Sequence, residues 1–150
     1  VKHKKLSITW RPVVAVLSVY LLTLAPVTAQ SSNCDMGQRS AFEILYAISA
    51  EGPDHVYENY ATEEFKEKMK RSTFNGDING LHKSVGTPDT NMRQLTHTNN
   101  IPEQETSGSV CHFRFITPYE EVILEEDIYL EGSTDSWELT GLFFRVHNPH

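Results

Sequence analysis

Glu126 stands in the run Leu124-Glu125-Glu126-Asp127-Ile128, and at strand spacing it shares a face with Val122, Leu124, Ile128 and Leu130. A carboxylate on an apolar face either finds a partner or takes up a proton as its pKa rises. Two kinds of chemistry follow. Paired with Arg93 or Arg145, it is an ion pair or hydrogen-bond bracket inside the fold. Left unpaired in an open pocket, it is the candidate catalytic residue, a general base of the kind an isomerase, dehydratase or cyclase uses. No second catalytic group accompanies it in the sequence. Arg93, Phe113, Tyr57 and Tyr60 join Glu126 as candidate ligand-binding residues. Each has a plainer role as well: Phe113, with Phe115, Trp137 and Phe143, forms an aromatic stripe that serves equally as core, and the two tyrosines fit the edge of a helix.

Other chemical signatures are scarce. There is no His-Glu-x-x-His, no Gly-rich phosphate loop, no Cys-x-x-Cys and no Gly-x-Ser-x-Gly. The seven histidines are scattered, with His3 in the amino-terminal leader, His55, His82, His97 and His112 on separate elements and His147 and His150 in a tail, so ligand spacing for a metal is missing and no metal or cofactor is expected. Cys34 and Cys111 are the only two cysteines. In an oxidising compartment they are expected to pair, with Cys34 just before the first helix; the alternative is a buried Cys111 and a free Cys34.

The compartment is read from the amino terminus. Lys2, Lys4, Lys5 and Arg11 precede an apolar run from Pro12 to Ala25, followed by Val27 and Ala29 at the small-residue positions of a cleavage site. Residues 1–29 therefore read as a signal peptide cut after Ala29. The run is too short for a lasting span, which takes about 20 apolar residues. Val1, as a first codon, fits a bacterial alternative start, and the expected location is the bacterial periplasm or beyond the cell. Cleavage takes four basic residues from a chain of formal charge −7 and makes it more acidic still. Nucleic acid and anionic membrane are poor partners for such a chain.

Residues 30–150 are expected to form one domain, with a core from about 36 to 146. Ala41, Ile44, Leu45 and Ile48 begin a helical pattern that ends at Gly52-Pro53. A short helix carries Val56, Tyr57 and Tyr60, a third starts after Thr62, and a fourth carries Phe74, Ile78, Leu81 and Val85 up to Gly86. Beyond Pro88 the period becomes two, predicting strands over 92–98, 109–117, 121–130 and 137–146. Helices first and an antiparallel meander afterwards define an α+β domain whose helices cover one face of a four-stranded sheet. A turn at Pro118 to Glu121 would set Phe115 opposite Leu124, Phe113 opposite Glu126, Cys111 opposite Ile128, Arg114 opposite Glu125 and His112 opposite Asp127. Carried into the last strand, the same logic sets Leu139 opposite Ile128, Gly141 opposite Glu126 and Phe143 opposite Leu124. Ile123, Tyr129, Leu142, Phe144 and Val146 then make an apolar outer face, for which a homodimer through the sheet is the expected cover.

The order Phe65-Lys66, Leu81 to Gly86, Arg93, Phe113-Arg114-Phe115, Glu126 and Trp137-Glu138-Leu139-Thr140-Gly141-Leu142-Phe143-Phe144-Arg145 resembles domain-of-unknown-function family 4019, a family of exported bacterial proteins. The resemblance spans roughly Ser40 to Val146 and departs at Phe74, where the family usually carries tryptophan. It implies a cone fold of the nuclear transport factor 2-like, or cystatin-like, type, with helices in the concavity of a curved sheet. It implies no activity, since cone folds include enzymes and plain binding modules. The functional expectation is an exported, non-enzymatic module that binds a small molecule or an envelope partner, with the isomerase, dehydratase or cyclase reading as the alternative.

Overall fold

In a computed structural model, residues 34–101, 109–133 and 136–148 are described. The expected signal peptide and its cut after Ala29 lie outside them. Cys34, Gly37, Ala41, Ile44, Leu45 and Ile48 repeat at helical spacing and form the buried stripe of α1 (Cys34–Ala50). This helix begins earlier than the expected start at Ala41, and Cys34 lies in its first turn rather than ahead of it. The reason is packing at Gly37: a Cβ there would come within 3.1 Å of both Phe113 and Trp137, so the missing side chain lets the helix lie against the sheet.

Pro53 opens α2 (Pro53–Asn59), as proline does at a first helical turn. The Thr62 hydroxyl accepts from the Phe65 amide and caps α3 (Glu63–Lys68), whose end is held by the Tyr57 hydroxyl donating to the Met69 carbonyl. α4 (Arg71–Val85) stops at Gly86, where φ is 82° and a side chain would also collide with Glu120. Tyr57, Phe65 and Phe74 meet in one aromatic cluster, with Phe65 and Phe74 edge to face at 5.7 Å.

The sheet runs β1 (Gln94–Ile101), β2 (Ser109–Pro118), β3 (Ile123–Gly132) and β4 (Trp137–Val146), antiparallel and in sequence order. With four helices preceding a four-stranded sheet, the architecture is α+β. Phe113, Phe115, Ile128, Leu130 and Leu139 are fully buried on the helix-facing side. Each such side chain withdrawn from water contributes about 1.5 to 3 kcal/mol.

Two registers differ from expectation. Between β2 and β3, Phe115 faces Glu126, Phe113 faces Ile128, Cys111 faces Leu130, and Arg114 faces Asp127, a slip of two residues from the expected pairing. Pro118 stays in the strand because its carbonyl is tied to the Asp89 amide, and the turn closes beyond it with the Tyr119 amide on the Val122 carbonyl. An even slip leaves every side chain on its expected face. Between β3 and β4 the slip is two residues at Leu139 and becomes three, an odd number, from Gly141 onward, because the register shifts between Tyr129 and Leu130. Leu139 faces Leu130, Gly141 faces Tyr129, Glu126 faces Phe144, and Leu124 faces Val146. The bulge turns Leu142 and Phe144 inward against the core and leaves Phe143, expected inside, 63% exposed.

The Cys34–Cys111 disulfide is present, with a Cα separation of 5.6 Å, and it joins the first turn of α1 to β2.

Candidate functional site

Glu126 projects from the middle of β3 into the core, flanked by Phe115 and Phe144, and has no exposed surface. Its carboxylate is fully bracketed. Arg93 donates Nε to Oε2 at 2.7 Å and Nη2 to Oε1 at 3.0 Å; the Thr117 hydroxyl donates to Oε2 at 2.6 Å and the Tyr119 hydroxyl to Oε1 at 2.9 Å. A two-pronged guanidinium is among the stronger ways to hold a carboxylate, because geometry and charge act together.

Three pieces of backbone place these donors. Arg93 follows the 3-10 turn Thr90–Met92, which Asp89 caps by accepting from the Asn91 amide. Thr117 lies at the end of β2, on the same face as Glu126. Tyr119 is brought back over the carboxylate because the turn after β2 docks on the end of α4: Glu120 accepts from the Thr87 amide and hydroxyl, and the Glu121 amide donates to the Val85 carbonyl. Burial, then the Glu126 charge and the hydrogen bond to it, push the Tyr119 pKa well above its ordinary value, so the phenol keeps its proton.

On the opposite face of β3, Asp127 anchors a second network. Its Oδ1 accepts from Arg114 Nε at 2.8 Å and pairs with His112 Nε2 at 2.6 Å, and Oδ2 meets Arg145 Nη2 at 3.0 Å. Burial works against the Asp127 charge, but the Arg114 and His112 hydrogen bonds and the two arginine charges outweigh it, and its pKa lies below the ordinary value. An ionised aspartate only accepts, so His112 carries its proton on Nε2. The imidazole stacks on Tyr129 at 4.5 Å, with His97 at 5.7 Å. Glu125 continues the network to Arg145 at 2.5 Å and His147 at 3.0 Å.

Of the residues singled out in the sequence, Arg93 and Glu126 are brought together and the others are not. Phe113 has no exposed surface in the core, the Tyr57 hydroxyl is engaged with the end of α3, and Tyr60 packs at the rim beside His55. Thr117 and Tyr119 were missed. Thr117 carried a signal, since it shares the face of Glu126; Tyr119 carried none, because it sat in the expected turn.

Clefts lie around this cluster rather than at it. One of about 290 Å³ has Arg93 in its wall with Phe42, Glu43, Tyr46 and Thr90. Another of about 270 Å³ shares Tyr46 and Thr90 with it and reaches His82. Neither is lined by Glu126. Burial holds the His82 imidazole below its ordinary pKa, against the pull of the Glu126 charge, and its Nε2 has no hydrogen-bond partner among the described residues. Among those residues no group of three or more His, Cys, Asp or Glu is arranged to hold a metal, and no helix is long and apolar enough to cross a membrane. Comparison of the chain with family models, with curated proteins and with solved structures returns no match.

Proposed function

We propose that this chain is a non-enzymatic binding module of an exported bacterial protein, of the cone-fold type of family 4019, that takes a small molecule or an envelope partner. The observation carrying this reading is the closure of Glu126. A base must reach a substrate proton, and all four of its contacts are already made inside the protein. A small ligand would sit outside the cluster, in one of the two neighbouring clefts that share Tyr46 and Thr90, with Arg93 supplying a polar contact in one and His82 in the other. The disulfide is compatible with export. In the same reading, Ile123 and Val146, 46% and 58% exposed at one end of the β3–β4 hairpin, are the contact of a homodimer through the sheet. Light scattering that returns a monomeric mass at high concentration removes the dimer.

The orphaned Nε2 of His82 is what favours the alternative, an isomerase, dehydratase or cyclase, since a neutral imidazole beside a cleft can move a proton. It would require Glu126 to leave Arg93 during turnover. Protein purified from its own host, analysed for molecules it retains and then incubated with a host metabolite extract, separates the two. A retained molecule that survives incubation unchanged is expected; a metabolite consumed by the wild type and spared by Glu126→Gln or His82→Ala would overturn the proposal.

A further inference from the structure

Glu131 and Glu138 stand directly opposite each other on β3 and β4, at the end of the hairpin remote from Ile123. Like charges in that position repel. Glu125, Glu126 and Asp127 are each offset by an arginine, whereas neither of these has an ion-pair partner within 4.0 Å among the described residues. Beside them runs a groove of about 250 Å³ between α3 and β4, walled by Phe65, Met69, Val110, Leu142 and Phe143, with Glu131 on its rim. A wider depression next to it takes in Glu63, Glu64 and Glu138. Lys66 and Lys68 do not offset the strand pair, because they are engaged with Glu63 and Glu64.

The groove borders a strand edge. β4 is the last strand of the sheet, and its outer side meets other backbone at Leu139, where the Leu139 amide donates to the Tyr60 carbonyl and its own carbonyl accepts from Thr62. Past Leu139 the edge meets no other strand among the described residues. Apolar floor, open edge and uncompensated acid therefore adjoin one another, with the acid pair at the Leu139 end of the open edge.

We propose that this edge docks an extended peptide segment of a partner protein, with apolar side chains alternating with lysine or arginine. The segment adds to β4 beyond Leu139, continuing the line that Tyr60 and Thr62 begin. Its backbone satisfies the open edge, its apolar side chains fill the groove, and its cations neutralise Glu131 and Glu138. This rests on the binding-module reading and names one partner class for it; the retained-molecule analysis above tests that reading separately, so the two can fail independently.

The probe is a short synthetic peptide of alternating lysine and valine, titrated into the disulfide-intact protein by calorimetry. Saturable binding that weakens with salt is expected. Backbone N-methylation of the peptide should abolish it, and Glu131→Gln with Glu138→Gln should weaken it roughly three- to tenfold. Those substitutions should at the same time raise the thermal midpoint of the free protein by about 1 to 5 °C, since they relieve a repulsion. No saturable binding, binding indifferent to N-methylation, or binding unchanged by loss of both carboxylates would each overturn the proposal. So would a dimer that Phe143→Ser dissociates while peptide binding stays intact, because the edge would then belong to a second copy.

Discussion

Glu126 and Asp127 are consecutive residues of one strand that face opposite ways, and both hold a buried negative charge against arginine. On the inner face the answer is closure: one guanidinium and two hydroxyls, none of which changes charge near neutral pH, sealed under the helices. On the outer face the answer is a network of two arginines and a histidine spread over three strands, flanked by Tyr129 and His97, with both arginines reaching the surface. A sealed pair costs desolvation and returns a fixed geometry, whereas a network whose arginines reach the surface keeps more solvent.

The inner pair depends most on Arg93. Arg93→Met strands Glu126 among phenylalanines and should cost about 3 to 5 kcal/mol in urea unfolding, while Arg93→Met with Glu126→Leu should recover most of it. A single-variant loss below about 1 kcal/mol would mean the site is wetter than its geometry implies. Asp127→Asn should cost less, about 1 to 3 kcal/mol, since Arg145 keeps Glu125. Because the folded Asp127 pKa is depressed, its contribution is present above the ordinary value of 3.8 and is lost as pH falls through the lower folded value. The acid limb of a stability–pH curve should therefore be shallower in Asp127→Asn than in the wild type.

Tyr119 makes the inner face sensitive to alkaline pH. Its raised pKa means that its contribution is present below the ordinary value of 10.0 and declines as pH climbs above it. Tyr119→Phe, losing one of four bonds to Glu126, should cost about 1 kcal/mol and flatten the alkaline limb; phenolate absorbance should appear in the wild type without Tyr119 until the protein unfolds. The smallest effect belongs to Asp54, an exposed carboxylate whose pKa is lowered to about 2 by Arg71 and Asn75. A proton titration of its carboxyl by NMR should show the shift, while Asp54→Asn leaves the unfolding midpoint within experimental scatter.

The sheet was legible because alternation in β2 and β3 is strong enough to set the faces even when the turn is misplaced. An error of two residues moved partners and changed nothing about which side chains meet the helices. In β4 the alternation of Leu142, Phe143 and Phe144 is silent, all three being apolar, so the bulge opposite Tyr129 left no trace in residue type. The start of α1 was missed for a related reason: its stripe there is Cys34 and Gly37, and glycine reads as a breaker until Phe113 and Trp137 are seen against it. That Glu126 needs a cation was legible because a carboxylate on an apolar face demands one, but the choice of Arg93 over Arg145 was not, since Arg145 lies on the other face and pairs with Glu125 and Asp127. Tyr119 depends on the docking of its turn against the end of α4, a contact between distant segments that no local pattern encodes.

The Cys34–Cys111 bond spans 77 positions and encloses all four helices and β1 in a single covalent ring. A protease that cuts the backbone once anywhere within that ring separates no mass, and the denatured chain still migrates as one species until a reductant is added. A cut beyond Cys111, in the strands that carry Glu126 and Asp127, releases a fragment at once. Limited digestion run with and without reductant thus sorts every cleavage point to inside the ring or outside it.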